Sequence, residues 1–90
     1  MVSDVLMTRA ELRCRERSIP PDDVTVRAIP LPPEVHGFVL VDPDGHYNVY
    51  VRAQDPLWRQ YRALEHELDH VASGDVYSDT PLEILEHLRS

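Results

Sequence analysis

Gly37-Phe-Val-Leu-Val41 and His46-Tyr-Asn-Val-Tyr-Val-Arg52, joined by Asp42-Pro-Asp-Gly45, set the frame for the rest of the chain. Both runs are rich in β-branched and aromatic residues, and proline at i+1 with glycine at i+3 marks a turn. The stretch predicts a β-hairpin. Toward the N-terminus, Val24-Thr-Val-Arg-Ala-Ile29 alternates in the same way and predicts a third strand. Pro30-Leu-Pro-Pro33 between them forces an extended, irregular connection. Further upstream, Thr8-Arg-Ala-Glu11 fits a capping box, which predicts a helix of about ten residues ending before Pro20-Pro21. Toward the C-terminus, Asp55-Pro56 supplies an N-cap and a proline at the first helical position. That helix should run to about Ser73, where Gly74 can adopt the left-handed conformation. Thr80-Pro-Leu-Glu83 is a second capping box and opens a last short helix. The order α-β-β-β-α-α reads as one small α+β domain over residues 1–90.

Composition narrows the function. Nine basic against sixteen acidic side chains leave a formal charge of −7. Such a balance argues against direct nucleic-acid binding, which is driven by cationic side chains displacing the counterions condensed on the phosphate backbone. Hydrophobic residues make up 42 % of the chain, enough for a core. The single cysteine, Cys14, cannot form an internal disulfide, which points to a reducing compartment. No apolar run approaches the roughly 20 residues of a transmembrane helix. The opening Met1–Met7 has neither the basic nor the apolar region of a signal peptide. A cytoplasmic domain, away from the membrane, is the expectation.

The second helix carries His66-Glu67-Leu68-Asp69-His70, an H-E-x-x-H motif. Residues four apart on a helix are neighbours, so two imidazoles can reach one Zn²⁺ at about 2.0–2.1 Å. Glu67, one residue after the first histidine, falls beside the metal and can take a proton from the attacking water. At about 100° per residue, Leu57, Tyr61, Leu64, Leu68 and Val71 form one stripe, the expected core face. His66 and His70 lie roughly 180–220° from Leu57, with Glu67 at the flank near 280°. An ordinary solvated face would show the same geometry. Chance separates the two, since this composition produces an H-E-x-x-H only ~0.02 times at random.

A structural zinc takes four protein ligands, whereas a catalytic one leaves a place for water. Cys14 lies in another element, so a closed thiolate site is not expected. Three carboxylates beyond Gly74 compete for the third ligand: Glu86, Asp75 and Glu83. Glu83 already serves the Thr80 capping box, whereas Glu86, one turn further in, has no such duty.

Ala63-Leu-Glu-His-Glu-Leu-Asp-His70, followed by Gly74-Asp-Val-Tyr-Ser-Asp79 and a short acidic helix, resembles the ImmA/IrrE family of zincin-type metallopeptidases, especially its short prophage-like members. Upstream, Leu31-Pro-Pro33, Gly37–Asp42 and Gly45–Val51 are similar to that family's hairpin, so the likeness covers roughly residues 30–87. The resemblance implies a minimal zincin-like fold: a small three-stranded twisted sheet packed on the active-site helix, with N- and C-terminal helices. It also implies His66 and His70 as zinc ligands, Glu67 as general base, and Glu86 as the third ligand. A repressor-like protein or peptide as substrate is implied by the same likeness.

Other residues have plainer roles. Tyr77 is a candidate oxyanion stabiliser, although a tyrosine in a short connection usually packs its ring. His36 and His46 flank the hairpin as surface residues, and His87 neighbours Glu86. Trp58 and Tyr61 should form core or cleft wall. Arg13, Arg15 and Arg17 should lower the pKa of Cys14, which has no paired base and no expected role. The cluster is too short for a nucleic-acid patch. The reading is therefore a zinc peptidase, with strand addition to residues 46–52 as the way an extended substrate docks. The alternative is a non-catalytic metal-binding module that only grips a regulator.

Overall fold

The computed structural model describes residues 3–74. Its elements are α1 (Asp4–Glu16), a 3-10 turn (Pro21–Asp23), β1 (Val24–Ile29), β2 (Gly37–Val41), β3 (Tyr47–Arg52) and α2 (Leu57–Ser73). This is a small α+β arrangement of two helices on a three-stranded mixed sheet. The expected last helix lies outside the described residues.

α1 starts five residues earlier than the Thr8 capping box predicts. Ser3 is the cap, its Oγ accepting from the Leu6 amide at 3.3 Å. Thr8 sits one turn inside, where its hydroxyl donates to the Asp4 carbonyl at 3.0 Å. The reason is burial: Leu6, Ala10 and Cys14 recur every four residues and are all essentially inaccessible, so the helix must extend back to seat Leu6. Its end is a Schellman turn, with the Ile19 amide donating to the Cys14 carbonyl at 2.9 Å and Ser18 at φ 58°.

The predicted hairpin is present. Val39 opposes Val49 and Phe38 opposes Tyr50 in the antiparallel β2–β3 ladder. The turn closes with the Gly45 amide on the Asp42 carbonyl at 2.9 Å, Gly45 taking φ 88°. β1 pairs in parallel with β3, Val26 opposite Val49, so the strand order is β1-β3-β2. That order corrects the docking expectation: residues 47–52 form the central strand, hydrogen-bonded on both sides, and cannot accept a further strand.

Alternation splits the strands between two apolar layers. Val24, Val26, Val39, Val49 and Val51 face the helices and pack with Leu6, Ala10, Cys14, Leu64, Leu68 and Val71. Phe38, stacked on Tyr50 at 4.9 Å, faces the other way and is covered by Leu31 and Val35 from the proline-rich connection.

α2 buries Leu64, Leu68 and Val71 as expected, but not Leu57, which is 47 % exposed; Tyr61 is only partly buried. The buried side of α2 runs through Leu64, Glu67, Leu68 and Val71, and its first turn is left to solvent. Asp55 does not cap this helix either: its cap is Pro56, without a side-chain hydrogen bond, because the Asp55 carboxylate is occupied elsewhere. Gly74 ends the helix at φ 79°, its amide donating to the His70 and Val71 carbonyls. Three arginines at four-residue spacing tie α1 to α2. Arg9 lies 4.3 Å from the Tyr61 ring centroid, Arg13 Nε is 3.2 Å from Glu65, and Arg17 Nε donates to Asp69 at 2.6 Å. The rising register shows that the two helices run in the same direction.

Candidate metal centre and its cleft

One turn of α2 brings the two motif histidines together. Their Nε2 atoms lie 3.0 Å apart, with the rings nearly perpendicular at 82° and centroids 4.6 Å apart. Two nitrogens at about 2.0–2.1 Å from a tetrahedral ion would be ~3.3–3.4 Å apart. The pair therefore needs to open by only a few tenths of an ångström to chelate one metal, and its donor chemistry suits zinc.

Glu67 differs from its expected position. The helical wheel puts it on a flank, yet it is 1 % exposed, among the least accessible side chains of the described residues. It lies against the start of β2: a Cβ added to Gly37 would sit 3.6 Å from Glu67 Cγ and 3.3 Å from Ala63 Cβ. Glycine at 37 lets α2 approach the strand this closely. Between this part of α2 and residues 34–37 opens a cleft of about 560 Å³, into which His66 and Glu67 both face.

Glu86, Tyr77, Asp75, Glu83 and His87, the other candidates of the sequence reading, lie outside the described residues. Among the described residues, no group of three or more His, Cys, Asp or Glu side chains is placed to hold a metal.

His36 is not a bystander on the surface. It lines the cleft, and its Nδ1 lies 2.8 Å from Asp55 Oδ2. Arg52 Nη1 donates to the other Asp55 oxygen at 2.9 Å. Burial pushes the Asp55 carboxyl up, but the hydrogen bonds and charges of His36 and Arg52 outweigh it and hold the group below the usual carboxylate range. His46 pairs with Thr25 Oγ1 at 2.7 Å, away from the cleft. Trp58 forms part of the cleft wall, 57 % exposed.

Cys14 also departs from expectation. The neighbouring arginines do not activate it: the thiol is fully buried, and burial raises its pKa more than Arg17 lowers it. Arg13 and Arg17 instead turn to Glu16, Glu65 and Asp69.

Sequence reasoning gave Gly37, Arg59 and Arg62 no part in a site and read His36 as a surface residue, yet all four line the cleft. For His36 the decisive contact spans 19 residues, and nothing local signals it. The two arginines had a signal, standing three apart just before the motif on one side of its helix. No family model, no curated protein and no solved structure matches this chain. Among the described residues no helix is long and apolar enough to cross a membrane.

Proposed function

We propose that this protein is a zinc-dependent peptidase of minimal zincin-like fold, related in pattern to the ImmA/IrrE metallopeptidases and acting in the cytoplasm on a regulatory protein. The observation that carries the reading is the approach of His66 Nε2 to His70 Nε2, 3.0 Å apart, beside a cleft that Glu67 also lines. His66 and His70 would hold the ion, with Glu86 as the third ligand. Bound zinc supplies Lewis acidity, polarising a scissile carbonyl and making water a better nucleophile. Glu67 takes the proton from the attacking water and passes it to the leaving amine. Tyr77 is the proposed donor to the developing oxyanion.

Elemental analysis of tag-free protein tests the metal, with about one zinc per chain expected from a three-ligand site. Less than a tenth of an equivalent, unimproved by added zinc, overturns it. Glu67→Gln should keep the metal while slowing hydrolysis of a repressor-type substrate by about 10²–10⁴-fold. A zinc-loaded wild type that cleaves no such substrate would instead mark a non-catalytic interaction module.

A further inference from the structure

Eight arginines and no lysine fall within the described residues. Arg9, Arg13, Arg17 and Arg52 lie within 3.7 Å of carboxylates, and Arg27 donates to Asn48 Oδ1 at 2.9 Å. Of the other three, Arg59 and Arg62 line the cleft, and among the described residues neither has an ion-pair partner. Trp58, the chain's sole tryptophan, stands exposed beside them. Residues 58, 62 and 66 recur every four positions, so Trp58, Arg62 and His66 follow one another along α2. In a chain of charge −7, two uncommitted guanidiniums on one cleft wall are a local reversal of sign. The acidic groups of the cleft do not cancel them: Glu67 is buried, and Glu34 lies on the opposite wall.

We propose that this wall of the cleft selects extended peptide segments carrying an acidic side chain, which Arg59 and Arg62 grip while Trp58 packs against the adjoining residue. Guanidinium is suited to the task, because its planar donors match a carboxylate in a fork. The inference rests on the peptidase reading for the position of the scissile bond, at His66. Four residues of helix span ~6 Å. Extended peptide advances about 3.3 Å per residue, so the selected acidic residue lies about two positions from that bond. A peptide fits better than a polyphosphate, since the surrounding negative field repels a long anionic chain.

Trp58 provides the readout. Emission of the full-length Glu67→Gln protein, which cannot consume its ligand, would be titrated with ten-residue peptides bearing a central Glu-Glu pair or its Gln-Gln isostere. The acidic peptide should shift the emission saturably and bind at least tenfold more tightly, with affinity falling as salt rises. Arg59→Gln/Arg62→Gln should abolish that preference, while Glu34→Gln leaves it intact or strengthens it. Equal binding of the two peptides, no response to either, or a stronger response to a ten-nucleotide thymidine strand overturns the proposal. Zinc content, measured on the same samples, reads the metal centre separately. No acid preference in the protein that keeps both arginines, with zinc retained, defeats only this inference, whereas acid preference without zinc defeats only the peptidase reading.

Discussion

Gly37 matters for what it lacks. A Cβ there would stand 3.0 Å from the Tyr50 carbonyl oxygen and 3.3 Å from Ala63 Cβ. The carbonyl belongs to the backbone of the central strand and has little room to retreat. Gly37→Ala should therefore push α2 off the strand and destabilise the protein by about 1–3 kcal/mol, as overpacking of a tight contact does. Urea denaturation would show this as a lower midpoint at unchanged slope. An unshifted midpoint would mean that the helix yields freely at that contact. The added Cβ would also stand 3.6 Å from Glu67 Cγ, so the proposed hydrolysis should slow as well.

Among the elements, the junction from β3 into α2 is braced by one carboxylate. Asp55 accepts from Arg52, at the end of β3, and pairs with His36, just before β2. It thereby joins one wall of the cleft to the start of α2. Its folded-state pKa is depressed, below the ~3.9 of an unfolded aspartate. The stabilisation is thus present above that value and is lost as the pH falls through the lower, folded value. Asp55→Asn should cost stability at neutral pH and lose less of it than wild type does as the pH falls below about 4. Denaturation curves across that range would check it, and parallel losses in the two proteins would remove Asp55 from the acid response. The Arg9, Arg13 and Arg17 contacts to α2 work differently. They lie at the surface, so each contributes little energy, but together they set the direction and register of α1 on α2.

At the scale of the whole molecule, a chain of 90 residues has a small core, and ligand binding should show strongly in its stability. The proposed metal centre spans only the native state, since unfolding separates its third ligand from the helical histidines. Zinc at ~100 times its dissociation constant should add ~2.7 kcal/mol, a rise of roughly 10–20 °C in melting temperature for a domain of this size. His66→Ala and His70→Ala should each abolish the rise. Calorimetry with and without zinc decides, and an equal shift in wild type and both variants would place the metal elsewhere.

What the sequence alone determined is what happens within four or five residues of chain. The Asp42–Gly45 turn, the left-handed stop at Gly74 and the meeting of His66 with His70 all follow from backbone geometry, whatever packs around them. Tertiary structure decided the rest. It drew α1 back to Ser3 to bury Leu6, and it took Asp55 from the helix cap for Arg52 and His36. It also placed β3 between β1 and β2, and turned Glu67 inward against Gly37. These outcomes depend on contacts between distant segments, such as the 19 residues from His36 to Asp55 and the 52 from Arg17 to Asp69. A local pattern offers several uses for each side chain, and the packing of whole elements selects one because burial and charge pairing are settled only when the distant partner arrives.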